Sequence, residues 1–321
     1  MASAATSAPL VSVALCTYNG ERFLRAQLDS LLAQSHRQLE IVALDDASSD
    51  ASAAILTEYA ARDARMRVQI HSRNLGIMRN FEAAFRQCKG QYIAPCDQDD
   101  VWMPDKIEAL LAAIGSASMA YCDSGLMDER GNVLGRRISR GRPAGRVDDP
   151  TLFAFGNWVS GHTCLFRREL LAALPVPEHF FYDWWLAAAA VASHGLVYVD
   201  RELNLYRQHE SNATDFLRRR PSAPRTPGYR ARDLAEIGQR LDHLVQLPQG
   251  AHTRTTLARD LWHAREHQWL SPRLAWFMLR HAPGYYAWVK PDSPFRRTRA
   301  LKYLPGLRLK RWTDPHGYRT L

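Results

Sequence analysis

The sequence predicts an α/β fold, a mainly parallel sheet with helices on both faces, followed by a helical extension at the C-terminus. Three observations lead there. Short, continuously apolar runs alternate with segments of helical spacing through the first hundred residues, polar and acidic residues stand where each run ends, and the composition turns basic and aromatic beyond residue 217.

The first run is residues 10–15. After the turn at Asn19-Gly20, Phe23, Leu24, Leu28, Leu31 and Leu32 recur at helical spacing. Residues 39–44 form the second strand and 45–50 a polar turn whose serines can cap, while Ile55, Leu56 and Tyr59 mark the second helix. Residues 66–70 lead through Asn74-Leu75-Gly76 into a helix with Phe81, Ala84 and Phe85, and residues 92–94 are the fourth strand. Right-handed crossovers place all four strands parallel, so ligands belong beyond their carboxyl ends. Thr17, Asp45, Asp46 and Asp97 fall at those ends.

After a strand near 119–122 the rhythm weakens. Residues 125–135 resemble a hairpin and 136–150 a basic loop; a helix over 183–192 and strands over 196–199 and 203–206 finish the first domain, 1–216. Residues 217–230 read as a basic, Pro-rich linker. Residues 231–321 read as a basic, aromatic-rich extension with helices near 231–247, 253–270 and 273–281.

Composition narrows the function. Hydrophobic residues at 46% and charged residues at 23% describe a globular chain, and no run is long and apolar enough to span a bilayer. Residues 1–8 lack the basic segment and apolar core of a secretory signal, and five widely spaced cysteines suit a reducing compartment, so a cytoplasmic location is expected. The net charge of +9 is uneven: residues 1–217 hold 21 Lys and Arg against 26 Asp and Glu, or −5, and residues 218–321 hold 21 against 7, or +14. A basic tail with interleaved Trp and Tyr suits an anionic membrane, which would put the chain at the inner face of the plasma membrane; packing onto the first domain or a second subunit explains the aromatics as well. No nucleic-acid-binding signature accompanies the charge, so no nucleic acid partner is expected.

The strongest chemical signal is Asp97-Gln98-Asp99-Asp100. Three carboxylates in four residues repel one another and are best tolerated when water screens them or a cation neutralises them, and hard oxygen donors suit Mg²⁺ or Mn²⁺ beside diphosphate oxygens. The first turn, Thr17-Tyr18-Asn19-Gly20, is not GxGxxG, which argues against a dehydrogenase.

Val11 through Gly20, Ile41-Val42-Ala43-Leu44-Asp45-Asp46-Ala47-Ser48-Ser49-Asp50, Asn74-Leu75-Gly76 and Asp97-Gln98-Asp99 together resemble the family 2 glycosyltransferases, inverting enzymes of the Rossmann-like GT-A fold, over roughly residues 9–210. Asp97 through Trp102 with Leu205-Tyr206-Arg207-Gln208-His209 are most similar to bacterial rhamnosyltransferases, which use dTDP-L-rhamnose to build surface polysaccharides.

The resemblance implies a nucleotide-sugar donor, dTDP-, UDP- or GDP-linked, and a saccharide or lipid-linked saccharide acceptor. Thr17, Tyr18, Asn19, Asp46, Arg79, Asp97 and Arg207 are then donor-binding residues, with Asp46 on the pyrimidine imide N–H and Arg207 on phosphate. Asp97, Asp99 and His209 hold the metal, which leaves Asp100 for the donor sugar. Asp183, between Tyr182 and Trp184, matches the catalytic acid position, and its aromatic flanks suit a base with a raised pKa. Helix capping is the blander role for Asp183 and for Ser48 or Ser49. Many relatives carry Glu-Asp where this chain has Tyr182-Asp183, which keeps a non-catalytic nucleotide-sugar-binding or scaffolding protein as the alternative. Ser160-Gly161-His162 is expected to be an acceptor-side loop.

Overall fold

In the computed structural model, described for residues 8–139, 145–210, 212, 229–247, 253–289 and 303–314, one ten-stranded mixed sheet forms the frame. Strands β1 (Val11–Thr17), β2 (Leu39–Asp45), β3 (Met66–Ile70) and β4 (Tyr92–Cys96) run parallel in the order β3-β2-β1-β4, linked by helices α1 (Glu21–Leu32), α2 (Ser52–Arg62) and α3 (Ile77–Gln87). These are the elements that the alternation predicts, with β4 two residues longer.

The strands are continuously apolar because both faces are covered. Val11, Val13 and Leu15 of β1 point to one core with Leu24, Leu28 and Leu31 of α1; Ala14 and Cys16, one residue out of step, point to the other with Phe81 and Phe85 of α3. Each fully buried Leu or Phe contributes about 1.5–3 kcal/mol of transfer free energy to holding that arrangement.

Past β4 the sheet turns mixed. A two-residue strand β5 (Val101–Trp102) and helix α4 (Lys106–Ile114) lead into β6 (Met119–Met127), which pairs antiparallel with β7 (Val133–Arg137) across the turn expected near 125–135. The stretch expected as a loop to residue 150 instead contains β8 (Gly145–Val147), held antiparallel against β10 (Leu196–Arg207). Strand β9 (Cys164–Arg167), between β4 and β6, has only four residues and no turn signal of its own. The two strands predicted at 196–199 and 203–206 are one, β10, because the exposed Asp200-Arg201-Glu202 is absorbed as a bulge without ending the ladder with β6. Helix α5 (Tyr182–Ser193) lies within the second core, and all five cysteines are buried and free.

Helix α6 (Tyr229–Leu244) begins inside the span read as linker, most of which lies outside the described residues. Helix α7 (Thr253–Ala264) stops earlier than the periodicity suggests, closing in a 3-10 turn at Arg265–His267; α8 (Pro272–Val289) and α9 (Leu307–Thr313) follow. Leu241, Leu244, Trp262, Leu274 and Phe277 of these helices join the same core as Trp158 and Trp185. Trp262 meets Phe155 edge-on at 5.7 Å, and Arg240 lies 4.4 Å from the Trp184 ring. Among the described residues no helix is long and apolar enough to cross a membrane.

Candidate active site

Three loops meet at the carboxyl ends of β1, β2 and β4, and their own side chains lock them together. The Thr17 hydroxyl donates to Asp45 Oδ1 at 2.7 Å and the Thr17 carbonyl accepts from the Asp46 N–H at 2.8 Å. Asn19, at φ 48, takes the Ser49 N–H on its side-chain oxygen, and its own N–H donates to Ser48 Oγ. The Gln98 carboxamide grips both backbone groups of Tyr18, accepting its N–H at 2.8 Å and donating to its carbonyl at 3.1 Å. A Cβ on Gly20 would overlap that carboxamide, which is the requirement for glycine there.

Asp46 closes the third side. Its two oxygens accept the N–H groups of Leu75 at 2.6 Å and Gly76 at 2.9 Å, pinning the Asn74-Leu75-Gly76 loop, where Gly76 has φ 83. The result is a cavity of about 380 Å³, lined by Cys16, Thr17, Tyr18, Asp46, Asn74, Gly76, Ile77, Asn80, Phe81, Asp97, Gln98, Asp99, Tyr206 and Asn212. Its size and mixed apolar and polar lining suit a small ligand. Thr17, Tyr18, Asp46, Asp97 and Asp99 therefore come together from positions far apart in the chain.

The acidic cluster divides by depth. Asp99 and Asp97 face the cavity, whereas Asp100 is fully buried, accepts from Asn204 Nδ2 and the Arg207 N–H, and is pushed up to about 7 by burial, partly offset by His162. Asp100 thus points inward and away from any donor sugar, because β5 pairs with β10 and turns its side chain under the sheet edge. Asp99 Oδ2 sits 2.9 Å from His209 Nε2, and Asp97 Oδ2 sits 3.5 Å from His162 Nδ1. Burial opposes a charged His162, but Asp100 and Asp97 raise it above its ordinary value.

Asp97, Asp100 and His162 can bring one ligand atom each within 4.8 Å of one another. Oxygen donors with an imidazole suit a hard or borderline divalent cation, and the carboxylates around Asp97 leave excess negative charge for it to neutralise, so the residues fit Mg²⁺ or Mn²⁺.

Asp183 stands in the first turn of α5, half-buried, without being the cap; that position is Phe181. Its carboxylate accepts from Trp184 N–H at 2.6 Å, Gly161 N–H at 3.2 Å and Asn157 Nδ2 at 3.2 Å, and burial nevertheless pushes it up to about 6. Asp97 adds to the rise, which places the two carboxylates in one electrostatic neighbourhood. Gly161 approaches Tyr182 so closely that a Cβ would overlap its hydroxyl, and the Tyr182 ring lies 4.4 Å from Phe81. Tyr182 is thus a packing residue, and Asn157 brings the side-chain hydrogen bond to Asp183.

Four other expected residues are not among those lining the cavity: Asn19, His209, Arg79 and Arg207. Arg79 is exposed on α3, and Arg207 is buried with its Nε on the Asp99 carbonyl at 2.8 Å and its guanidinium 4.7 Å from the Phe23 ring. Asn157, Asn212 and the buried Lys106 took no place in the sequence-derived site, and His162 entered it only within the loop expected on the acceptor side. Only His162 had a local signal, in Ser160-Gly161-His162; Asn157 comes from the loop before β9, Asn212 from the turn after β10 and Lys106 from the start of α4.

With this geometry in view, comparison with known proteins gives the family. The family described as Glycosyl transferase family 2 matches residues 12–174, just over half of the chain. The chain belongs to glycosyl transferase family 2. The chain is 34% identical over 132 residues to TuaG of Bacillus subtilis, a glycosyltransferase named for teichuronic acid biosynthesis, covering 40% of the chain and 52% of TuaG. It is 26% identical over 270 residues to an uncharacterised glycosyltransferase of Nostoc, covering 79% and 81%. The matched parts span about half of TuaG and 62% of EpsH, another Bacillus subtilis glycosyltransferase. In fold the chain is similar to Staphylococcus aureus TarS 1–349, solved with UDP-GlcNAc, at a TM-score of 0.59 and 14% identity over 97% of this chain and 93% of that one. The GT-A fold expected from the motifs is the fold observed.

Proposed function

We propose that the protein transfers a sugar, with inversion, from a nucleoside diphosphate donor to a hydroxyl of a saccharide or lipid-linked saccharide acceptor. One observation carries the reading: Thr17, Asp46, Asp97 and Asp99 line a single cavity at the carboxyl edge of the parallel strands. Thr17, Tyr18, Asn19 and Asp46 shape the nucleoside end. Asp97 would hold Mg²⁺ or Mn²⁺ at the diphosphate end with Asp99 and His209, which pair at 2.9 Å; Asp100 and His162, whose ligand atoms lie within 4.8 Å of that of Asp97, form the alternative set on the inner side. Such a cation, when bound, supplies Lewis-acid stabilisation of the leaving diphosphate.

Asp183 is the base in this reading. Its carboxylate is held by two backbone N–H groups and Asn157, and its pKa near 6 leaves it largely ionised at neutral pH yet basic enough to take a proton. The acceptor oxygen forms its bond to the anomeric carbon as the bond from that carbon to the diphosphate oxygen breaks; the electron pair leaves with the diphosphate and the hydroxyl proton goes to Asp183. Arg207 contributes by fixing the backbone of Asp99.

The donor-specific form of the proposal is dTDP-L-rhamnose, with the UDP sugar held by TarS as its rival. The division into a catalytic part, 1–216, a linker, 217–230, and an extension, 231–321, belongs to the same reading. So does a place at the cytoplasmic face of the membrane, supported by five buried free thiols. Calorimetry with dTDP, UDP and GDP, with and without Mn²⁺, is the test: one nucleotide should bind at least about tenfold more tightly with the cation. Equal indifference to all three, with or without Mn²⁺, defeats the proposal.

A further inference from the structure

We infer that the solvent-facing side of α8 and α9 is a docking surface for anionic lipid membrane. Helix α8 turns Leu274, Phe277 and Met278 into the core and leaves Arg273, Trp276 and Arg280 outside, three residues along one stripe. Trp276 is 61% exposed, with the Arg280 guanidinium 5.4 Å from its ring, so the two form an aromatic and cationic pair in open solvent. Just before the helix, Trp269 and Leu270 are 52% and 56% exposed.

The returning chain lies beside them. Leu270 bridges Pro305, the Ser271 N–H donates to the Leu304 carbonyl and the Gly306 N–H to that of Trp269. This carries α9 alongside, with Arg308 and Trp312 exposed one turn apart, Trp312 at 72%. Three tryptophans each exposing more than half of their surface within one supersecondary unit go beyond the scattered apolar residues of an ordinary surface.

Charge selects the occupant. Residues 267–313 contain ten Lys and Arg against the single Asp292. A second copy seated on this face would set the exposed Arg273, Arg280 and Arg308 against their equals. A bilayer with anionic headgroups takes indole rings at the level of the headgroups and arginines at the phosphates. A chain of contacts also ties the C-terminal helices to the loop beside Asp183. Thr255 and Arg254 of α7 bond Thr151 and Asp149, which brace the 3-10 turn Pro150–Ala154, and the chain leaving that turn carries Asn157 and Gly161 to Asp183. The inference deepens the reading of the acceptor as lipid-linked and rests on it.

The experiment sediments the full-length protein with vesicles of phosphatidylcholine, or of phosphatidylcholine mixed with phosphatidylglycerol. Partition into the anionic vesicles should exceed that into neutral ones by at least about tenfold and weaken with salt. Tryptophan emission should shift to the blue and be quenched by brominated acyl chains. The combined variant Trp269→Ser, Trp276→Ser, Trp312→Ser, and separately Arg273→Glu with Arg280→Glu, should each lose about tenfold in partition at an unchanged melting temperature. No vesicle binding, binding indifferent to lipid charge, or binding that both variants retain overturns the inference. So does a dimer that the tryptophan variant dissolves, or a preference for duplex DNA over vesicles. Nucleotide binding measured on the same proteins reads the transferase assignment separately, so either can fail while the other stands.

Discussion

Asp99 and His209, 110 positions apart in the chain, meet with a carboxylate oxygen 2.9 Å from an imidazole nitrogen at the rim of the cavity. The contact exists because β10 runs back along the sheet to end beside the loop after β4, and the turn beyond it is closed by Asn212, whose side chain accepts the His209 N–H and donates to the Arg207 carbonyl at 2.6 Å. Phe23, 4.9 Å from the His209 ring, fixes its plane.

Removing either partner should show in cation binding first. Asp99→Ala is expected to abolish the Mn²⁺-dependent part of nucleotide binding, and His209→Ala to weaken Mn²⁺ affinity by about 10–100-fold. Titration of Mn²⁺ followed by electron paramagnetic resonance reads both; an unchanged cation affinity in His209→Ala removes it from the ligand set.

Asp183→Asn separates chemistry from binding. Turnover should fall by about 10²–10⁴-fold while nucleotide affinity holds. On the proposed mechanism, kcat/KM of the parent protein should decline as pH drops through about 6, where the Asp183 carboxylate takes up a proton. A profile flat from pH 5 to pH 7 would falsify the base assignment.

The same residue links activity to stability. Burial holds Asp183 near 6 against an ordinary 3.8, so the native state binds its proton more tightly than the unfolded chain. Its contribution to stability is present at low pH and lost as pH rises from about 4 through 6. Asp183→Asn, which has no charge to desolvate, should therefore unfold at an equal or higher denaturant concentration than the parent at pH 7 despite its lost turnover.

Lys106 is fully buried on α4, with its Nζ bonded to the His162 carbonyl at 2.5 Å and to Asn204 Oδ1 at 3.4 Å, and 3.5 Å from the Trp102 ring centroid. Burial lowers its pKa, yet the neighbouring Asp100 favours the ammonium. Lys106→Met should strand these acceptors and cost about 1–3 kcal/mol, measured by urea unfolding. An unchanged midpoint would show that the strut carries no load.

Gly20→Ala is expected to displace the Gln98 carboxamide from Tyr18 and loosen the loop pair that shapes the nucleoside end. Nucleotide affinity should weaken by several-fold with α1 intact by circular dichroism. Retained affinity would show that the clamp is dispensable.

The alternating half of the fold was legible from local pattern, because a strand buried on both faces must be apolar throughout and a crossover helix must show its 3.6-residue stripe; β1 to β4 and their helices follow from Val11–Thr17 and Leu24, Leu28 and Leu31 without further information. Thr17, Asp45, Asp46 and Asp97 were also legible as neighbours, since strand ends in a parallel sheet share one edge, and Asp99 through the acidic motif that resembles the family's. What only the tertiary structure decided is which side chains face that edge. Asp99 looks into the cavity and Asp100 beneath it because β5 pairs with β10. Arg207 Nε donates to the Asp99 carbonyl, and Lys106 of α4 meets the His162 carbonyl in the turn that leads into β9, a four-residue strand without a pattern of its own. A side chain's orientation depends on long-range strand pairing, and that pairing leaves no periodic trace in the segments it joins.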